Sequence, residues 1–288
     1  MRDAVVAGGG VLVDVAEAQA LVWADAHRPE DLPAALEAGT ALQWIALPYA
    51  GIEPYVPYLS NAYTWTAAKG VYATPVAEHV IALSLAGLRQ LHTFARASSW
   101  PAQIGRNLIG ANVVVFGGGG ITAELVRLLD PFGCEISIVR RSSEPFPGAH
   151  RTVALDDRLT VLPTADVVVL ALALTPQTAG VIGAAELEAM ADHAWLINVA
   201  RGGHVDTDAL VAALAAGHIG GAALDVTNPE PLPDGHPLWS EPRAVISPHV
   251  GNTPEMGVPL LAAHITDNVR RFAAGEPLVG VVDTSAGY

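Results

Sequence analysis

A chain of 288 residues that is 51% hydrophobic can bury two cores, so two domains are expected rather than one. Its formal net charge of −14 excludes a general nucleic-acid-binding surface and leaves any anionic ligand to a few local cations, nearly all arginine since Lys69 is the only lysine. The single cysteine, Cys134, excludes an internal disulfide framework and a cysteine metal cluster, and no metal site is expected.

The first ten residues, MRDAVVAGGG, carry no signal-peptide core, and no apolar run of membrane-spanning length is free of charges or helix breakers. The expectation is a cytoplasmic protein without membrane attachment. Ala4–Ala7, Val11–Val13, Ala20–Trp23 and Leu42–Leu47 read as strands, and Pro33–Ala38 reads as a short helix with its proline in the first turn. This alternation predicts a small α/β domain. The loop after Leu47 carries Tyr49, Ala50 and Gly51, whose amides can hold a carboxylate at the end of a strand; on spacing alone an ordinary turn is the simpler reading. Tyr55–Gly70 reads mostly as loop. From Pro75 the stretch PVAEHVIALSLAGLRQLHTFARA predicts one long helix with two adjacent apolar rows, Val76–Val80–Leu83 and Ala77–Ile81–Leu85–Leu88. His79, polar among apolar neighbours, reads as a hydrogen-bonded structural histidine rather than a catalytic one. Ser98–Asn107 is a connector.

Val113–Arg141 is the most informative stretch. An apolar run, Val113–Phe116, meets four glycines, Gly117–Gly120; an amphipathic segment follows, and a second apolar run, Ile136–Val139, ends on Arg140 and Arg141. This is strand, tight turn, helix, strand, the opening of a dinucleotide-binding domain. Glycine lets the backbone turn sharply and lets a pyrophosphate approach it, while the helix N-terminus offers N–H groups and partial positive charge. Gly117, Gly119, Gly120 and Ile121 are therefore cofactor-binding candidates. Thr122 stands at the third glycine position of G-x-G-x-x-G, which serves helix–strand packing.

The strand–helix rhythm then continues. Thr160–Thr164 reads as a loop, Ala165–Leu172 as a strand buried on both faces, Glu186–Ala191 as a short helix and Ala194–Val199 as a strand ending at Arg201. Asp206 or Thr207 can cap the helix Ala209–Ala216. Gly220–Val226 is a strand, Ala244–Ser247 is the last strand and leads to His249, and Pro259–Ala274 is the final helix. Arg201, Glu230 and His249 follow successive strands, so a parallel sheet can bring them to one edge. Each alone has an ordinary reading as a surface arginine, a loop carboxylate or a strand cap. Together, downstream of a nucleotide turn, they suit carbonyl reduction. Arginine binds a carboxylate through a planar fork, histidine titrates near working pH and can donate a proton, and a carboxylate beside it stabilises imidazolium.

With these motifs in place, the chain resembles the D-2-hydroxyacid dehydrogenases over nearly its whole length. The likeness is carried by V-A-E-H (Val76–His79), N-V-A-R-G-G (Asn198–Gly203), L-D-V-x-x-x-E-P-L-P (Leu224–Pro233), H-P-L-W (His236–Trp239) and S-P-H-V-G-N-T (Ser247–Thr253). The resemblance implies a doubly wound parallel Rossmann domain, residues 89–262, inserted in a smaller flavodoxin-like α/β substrate domain, residues 1–88 and 263–288, with the site in the cleft between them. It implies that Arg201 binds the substrate carboxylate and that His249 is the acid/base, with Glu230 as its partner. By the same resemblance Asp225 approaches the nicotinamide carboxamide with Val199 nearby. Thr175 and Thr178 form the loop under the cofactor. Ala50 and Gly51, with Tyr49, contact the substrate, which reverses the ordinary-turn reading. A homodimer is implied as well.

The informative departure is Arg140. It ends the second strand of the unit about where an NAD-binding member carries an aspartate for the ribose 2′-OH. Arginine pairs instead with a 2′-phosphate, Arg141 and Ser142 add donors, and NADP(H) preference over NAD(H) is expected. Glyoxylate and hydroxypyruvate are the expected substrates. The alternative is an NAD(P)H-sensing, corepressor-like binding protein with little turnover.

Overall fold

The computed structural model describes residues 1–25 and 28–284. Along the chain run α1 (Arg2–Ala7), β1 (Ala20–Val22), α2 (Leu32–Ala38), β2 (Trp44–Ala46), β3 (Thr64–Thr66), α3 (Ala73–Leu88), α4 (Leu91–Phe94), β4 (Asn112–Phe116), α5 (Gly120–Leu129), β5 (Glu135–Arg140), β6 (Arg151–Ala154), β7 (Val167–Leu170), α6 (Ala184–Ala189), β8 (Trp195–Asn198), α7 (Thr207–Ala216), β9 (Gly221–Leu224), α8 (Pro237–Ser240), β10 (Ala244–Ile246) and α9 (Pro254–Ala274). The chain forms two compact units, one from Met1–Tyr72 with Thr253–Tyr288 and one from Ala73–Asn252.

The central unit is a seven-stranded, all-parallel sheet in the order β10-β9-β8-β7-β4-β5-β6. Strand order reverses between β4 and β7, which is where an open α/β sheet has its ligand crevice. Alternate residues of each strand feed two cores. Val114, Phe116, Val168 and Leu170 pack on one face with Leu210 and Leu214 of α7, and Val113, Val115, Val167 and Val169 pack on the other with Ala77 and Val80 of α3 and Leu125 of α5. Both faces are buried, which explains why these strands are continuous apolar runs. Cys134 is part of the second core; burial pushes its thiol up, and it donates to the Leu108 carbonyl at 3.3 Å.

The terminal unit carries a parallel sheet, β1-β2-β3 in sequential order among the described residues. Its two faces are covered by different segments. Ile45, Leu47 and Trp65 pack with Leu32, Ile52 and Tyr55, while Trp44 and Ala46 pack with Ile265 and Val269 of α9 and Ala4 of α1.

Several sequence expectations change. Ala4–Ala7 lies in a helix, because Ala4 and Val5 pack against α9 rather than joining a sheet. Val11–Val13 forms no strand and is exposed, since nothing in the sheet pairs with it. Within Tyr55–Gly70, Thr64–Thr66 forms an edge strand, and Arg151–Ala154 adds the outer strand β6, neither of which was expected. The long helix from Pro75 stops at Leu88, because Gln90 adopts φ 52, a left-handed conformation that ends a helix. The final helix starts at Pro254 and accommodates Pro259 in its second turn. The sequence placed residues 73–88 with the terminal domain and 253–262 with the nucleotide domain. Here α3 packs on α5 and β8 and belongs to the central unit, and α9 from its start belongs to the terminal unit. Residues 285–288 of the expected substrate domain lie outside the described residues.

Candidate active site

The cofactor side of the sheet edge is built on backbone. Gly117 follows β4 with φ 111, and a Cβ there collides with the Ala171 carbonyl oxygen just past β7. Only glycine fits where the two strands of the switch point meet. Gly119 caps α5 and provides no side-chain cap, so the first N–H groups of that helix are left for a ligand. Thr122 is fully buried and donates its hydroxyl to the Gly117 carbonyl at 3.1 Å. It therefore closes the turn at the third glycine position and does not face a phosphate. The Arg140 side chain leaves β5 and runs beside this turn: a Cβ at Gly118 would lie 3.3 Å from its Cδ and 3.5 Å from its Nε. Open space at Gly119, free helix N–H groups and a flanking guanidinium together fit a dinucleotide phosphate. Arg141 is exposed and Ser142 half-buried in the loop that follows.

The loop after β7 is self-contained. The Thr178 hydroxyl accepts from the Thr175 N–H at 2.8 Å and donates to the Ala173 carbonyl at 2.7 Å, with the Thr175 hydroxyl 3.2 Å away. Thr178 holds the shape of the loop, and Thr175 is the half-buried hydroxyl at its surface.

The other half of the edge is built on side chains held by buried polar groups. Beyond β8 comes Val199, then the turn that presents Arg201. Asn198, buried, donates to the Arg201 carbonyl at 2.9 Å and accepts from the Ala200 N–H at 3.1 Å, so it clamps the turn from both sides. The Arg201 guanidinium donates to the Ala200 carbonyl at 2.7 Å. At Gly202 a Cβ would run into the Thr227 carbonyl, so the turn after Arg201 abuts the loop that leads to Glu230. Beyond β10, His249 adopts φ 54, rare for a residue with a side chain. Its N–H donates to the Asp225 carbonyl at 2.8 Å, and its Nδ1 lies 2.7 Å from Glu230 Oε1. His249 and Glu230 are 51% and 40% exposed at their side chains, so the pair faces solvent. With Nδ1 engaged, Nε2 is the ring nitrogen left to a substrate.

Asp225 is expected at a nicotinamide. Its side chain is instead 2% exposed and committed to the protein. Oδ1 accepts from the Ser247 hydroxyl at 2.6 Å and the Val250 N–H at 2.9 Å, and Oδ2 accepts from the Gly251 N–H at 2.9 Å. Burial alone raises a carboxyl pKa; here the bonds from His79, Ser247 and the two amides outweigh it and bring the group down to about 2. What the structure shows of Asp225 is that it holds the His249 loop.

In the terminal unit, Tyr49 and Ala50 are exposed and Gly51 half-buried at the end of β2. The Tyr72 hydroxyl donates to the Pro48 carbonyl at 2.7 Å, and the Ala68 N–H donates to the Tyr49 carbonyl at 3.1 Å. Burial, with Tyr49 nearby, pushes Tyr72 up to about 12, so it remains a donor. No acceptor among the described residues takes the Ala50 or Gly51 N–H. Tyr72 carries no sequence signal for this role. Asn198 does, as the first residue of N-V-A-R-G-G.

The family model for the NAD binding domain of the D-isomer specific 2-hydroxyacid dehydrogenases matches residues 79–251, more than half of the chain. The chain belongs to this family. It is therefore an NAD(P)-dependent oxidoreductase of the 2-hydroxyacid dehydrogenase type, and its central unit is the family's Rossmann domain. A relative from Corynebacterium melassecola, an uncharacterized protein in the proB 3′ region, is 37% identical over 99% of this chain and 95% of its own length. Glyoxylate/hydroxypyruvate reductase A of Salmonella heidelberg is 33% identical over 62% of this chain and 56% of its own length, so this dehydrogenase matches little more than half of that relative. The D-isomer specific 2-hydroxyacid dehydrogenase of Xanthobacter autotrophicus, solved in complex with NADPH and MES, superposes with a TM-score of 0.83 at 29% identity, covering 100% of this chain and 95% of its own. Among the described residues no helix is long and apolar enough to cross a membrane.

Proposed function

We propose that this dehydrogenase reduces a small 2-keto acid, such as glyoxylate or hydroxypyruvate, to the D-configured 2-hydroxy acid, with NADPH as the preferred reductant. The observation that carries the reading is the 2.7 Å His249–Glu230 pair, presented beside the Arg201 turn on the same sheet edge as the glycine turn. Arg201 binds the substrate carboxylate through its planar fork. His249 Nε2 holds the proton that passes to the keto oxygen, while its Nδ1–H stays bonded to Glu230. The Glu230 carboxylate orients the ring and stabilises the imidazolium form. When bound, NADPH supplies the hydride to the keto carbon. In the terminal unit, the same reading assigns the Ala50 and Gly51 amides to carboxylate binding, with Tyr49 beside them.

Val199, Thr175 and the Gly117–Ile121 turn are assigned to the cofactor. Arg140, with Arg141 and Ser142, is assigned to the 2′-phosphate, because a guanidinium at the end of β5 cannot accept bonds from a ribose 2′-OH but pairs with a phosphate. The Xanthobacter relative solved with NADPH and the Salmonella relative named for glyoxylate and hydroxypyruvate support this choice of cofactor and substrate.

A homodimer is part of the reading. Trp100 is 89% exposed, and Ile104 and Ile109 are exposed with it, on a stretch that forms neither helix nor strand. The stretch lines a cavity of about 850 Å³ at the amino-terminal edge of the central sheet, away from the active-site edge. Apolar surface of this kind is buried by a partner more often than left in water.

A panel of 2-keto acids with NADPH and with NADH, followed at the nicotinamide absorbance, tests the proposal. Turnover of glyoxylate or hydroxypyruvate with kcat/KM higher for NADPH is expected. Absence of turnover across the panel with intact NADPH binding overturns it in favour of a nucleotide-sensing binder, and kcat/KM with NADH equal to or above that with NADPH overturns the cofactor assignment.

A further inference from the structure

We propose that His79 is a positioning residue for the reaction, closing a hydrogen-bonded ring with Ser247 and the buried Asp225 that holds the loop bearing His249. The inference rests on the assignment of His249 as the proton donor. His79 stands on α3, remote in sequence from the loop. Its Nε2 lies 3.2 Å from the Ser247 hydroxyl oxygen and 3.2 Å from Asp225 Oδ1. Ser247 already donates its own hydroxyl proton to Asp225 Oδ1 at 2.6 Å, so towards His79 it can only accept. The carboxylate also only accepts. Both contacts therefore require the proton on Nε2, which defines the ring's tautomer.

Packing supports the same link. A Cβ at Gly251 would lie 3.0 Å from Asp225 Oδ2 and 3.5 Å from His79 Cδ2, so α3 and the carboxylate meet at the end of the His249 loop. The consequence follows from the geometry of Asp225. Its two oxygens take the N–H groups of Val250 and Gly251, the residues directly after His249. The His249 backbone is left-handed, a conformation that its own sequence does not favour and that the surrounding bonds must hold. A buried carboxylate deprived of one donor relaxes towards others or towards water, and the amides it holds move with it. His79 thus acts on His249 through Asp225, without touching substrate.

The test compares His79→Ala, which deletes the donor, with His79→Gln, whose amide nitrogen reaches as far as Nε2 and donates to the same acceptors. His79→Ala is expected to lower kcat for the keto acid by about 10- to 100-fold, with KM and NADPH Kd little changed, because a small misplacement of a catalytic group costs this much. His79→Gln is expected to recover most of kcat. Hydrogen exchange of the full-length chain, read on the peptide over Ser247–Asn252, is expected to be faster in His79→Ala and near wild type in His79→Gln. Equal kcat in His79→Ala and wild type, loss in His79→Gln as large as in His79→Ala, or unchanged exchange overturns the proposal. If the alanine variant does not fold, Ser247→Ala removes the neighbouring member of the ring and must show the same faster exchange and lower kcat. If the wild type turns over no keto acid, the proposed reaction falls, and the exchange comparison still decides whether His79 holds the loop.

Discussion

The two halves of the active-site edge are built on opposite principles. Around β4 and β5 the site is absence: Gly117 has no room for a side chain, Gly119 caps α5 without a side-chain bond, and the ligand is offered bare N–H groups with Arg140 alongside. Around β8, β9 and β10 it is presence: Arg201, Glu230 and His249 each project from a turn, and the first and last of these turns are held by a second polar residue. Asn198 clamps the first turn and Asp225 the last. Two carboxylates on one strand–loop segment show the division most clearly. Asp225 is buried and bound by several donors of the protein, whereas Glu230 is open to solvent and meets one histidine nitrogen and, at 3.4 Å, the Thr227 N–H. The cofactor half needs only shape, and many sequences can supply it. The chemical half needs particular atoms at particular places, and so requires a supporting layer.

The largest expected effect lies in that second half. Replacing His249 by Gln is predicted to cut kcat by about 10²–10⁴ with NADPH Kd unchanged, because general acid help is lost while the glycine turn is intact. Steady-state kinetics and fluorescence titration of NADPH check both parts. A variant that keeps near-wild-type kcat breaks the division of labour. The first half is sharpened by Arg140→Asp, which exchanges a phosphate partner for a 2′-OH acceptor. The ratio of kcat/KM for NADPH over NADH is predicted to fall by about 10- to 100-fold, with His249-dependent chemistry preserved. An unchanged ratio removes Arg140 from cofactor choice.

Smaller effects probe the supporting layer. Asp225 has its pKa depressed from 3.8 to about 2, so its charged form contributes stability that is fully present above pH 4 and is lost as pH falls towards 2. Asp225→Asn is predicted to lower unfolding free energy at pH 7 by on the order of 2 kcal/mol, a gap that closes as pH approaches 2. Denaturant melts of both proteins across that range measure it, and a gap independent of pH removes the charge from the explanation. The smallest effect is expected at Thr122→Gly. It restores the usual glycine pattern but deletes a buried hydroxyl bond and weakens a helix, costing about 1 kcal/mol of stability with little change in NADPH binding. A large gain in NADPH affinity shows instead that Thr122 obstructs the phosphate.

Legibility in the sequence followed the same division. The apolar runs of β4, β5, β7, β8 and β9 are readable because strands buried on both faces must be apolar throughout. The glycine turn is readable because it depends on local backbone, and the end of β5 at Arg140 because it closes an apolar run. The weaker elements were not. Ala4–Ala7 has strand-like composition but becomes a helix under the pull of α9, and Thr64–Thr66, too short to stand out from the loop around it, becomes a strand where β2 offers it a partner. Short apolar runs carry too little local preference to decide between the two states.

What the sequence by itself determined is the class of fold, the dinucleotide turn and the residue types proposed for the reaction, since periodicity, glycine placement and ordered motifs are local properties. Only the tertiary structure decided how those residues are held. Asp225 is two residues before Thr227 and five before Glu230, yet its partners lie on α3 and in the loop after β10. His79, 146 residues upstream of Asp225, joins it only because α3 packs across the sheet. Hydrogen bonds between distant segments leave no periodicity in the chain, so the hydrogen-bonded ring behind His249 appears only when the fold brings its members within about 3 Å.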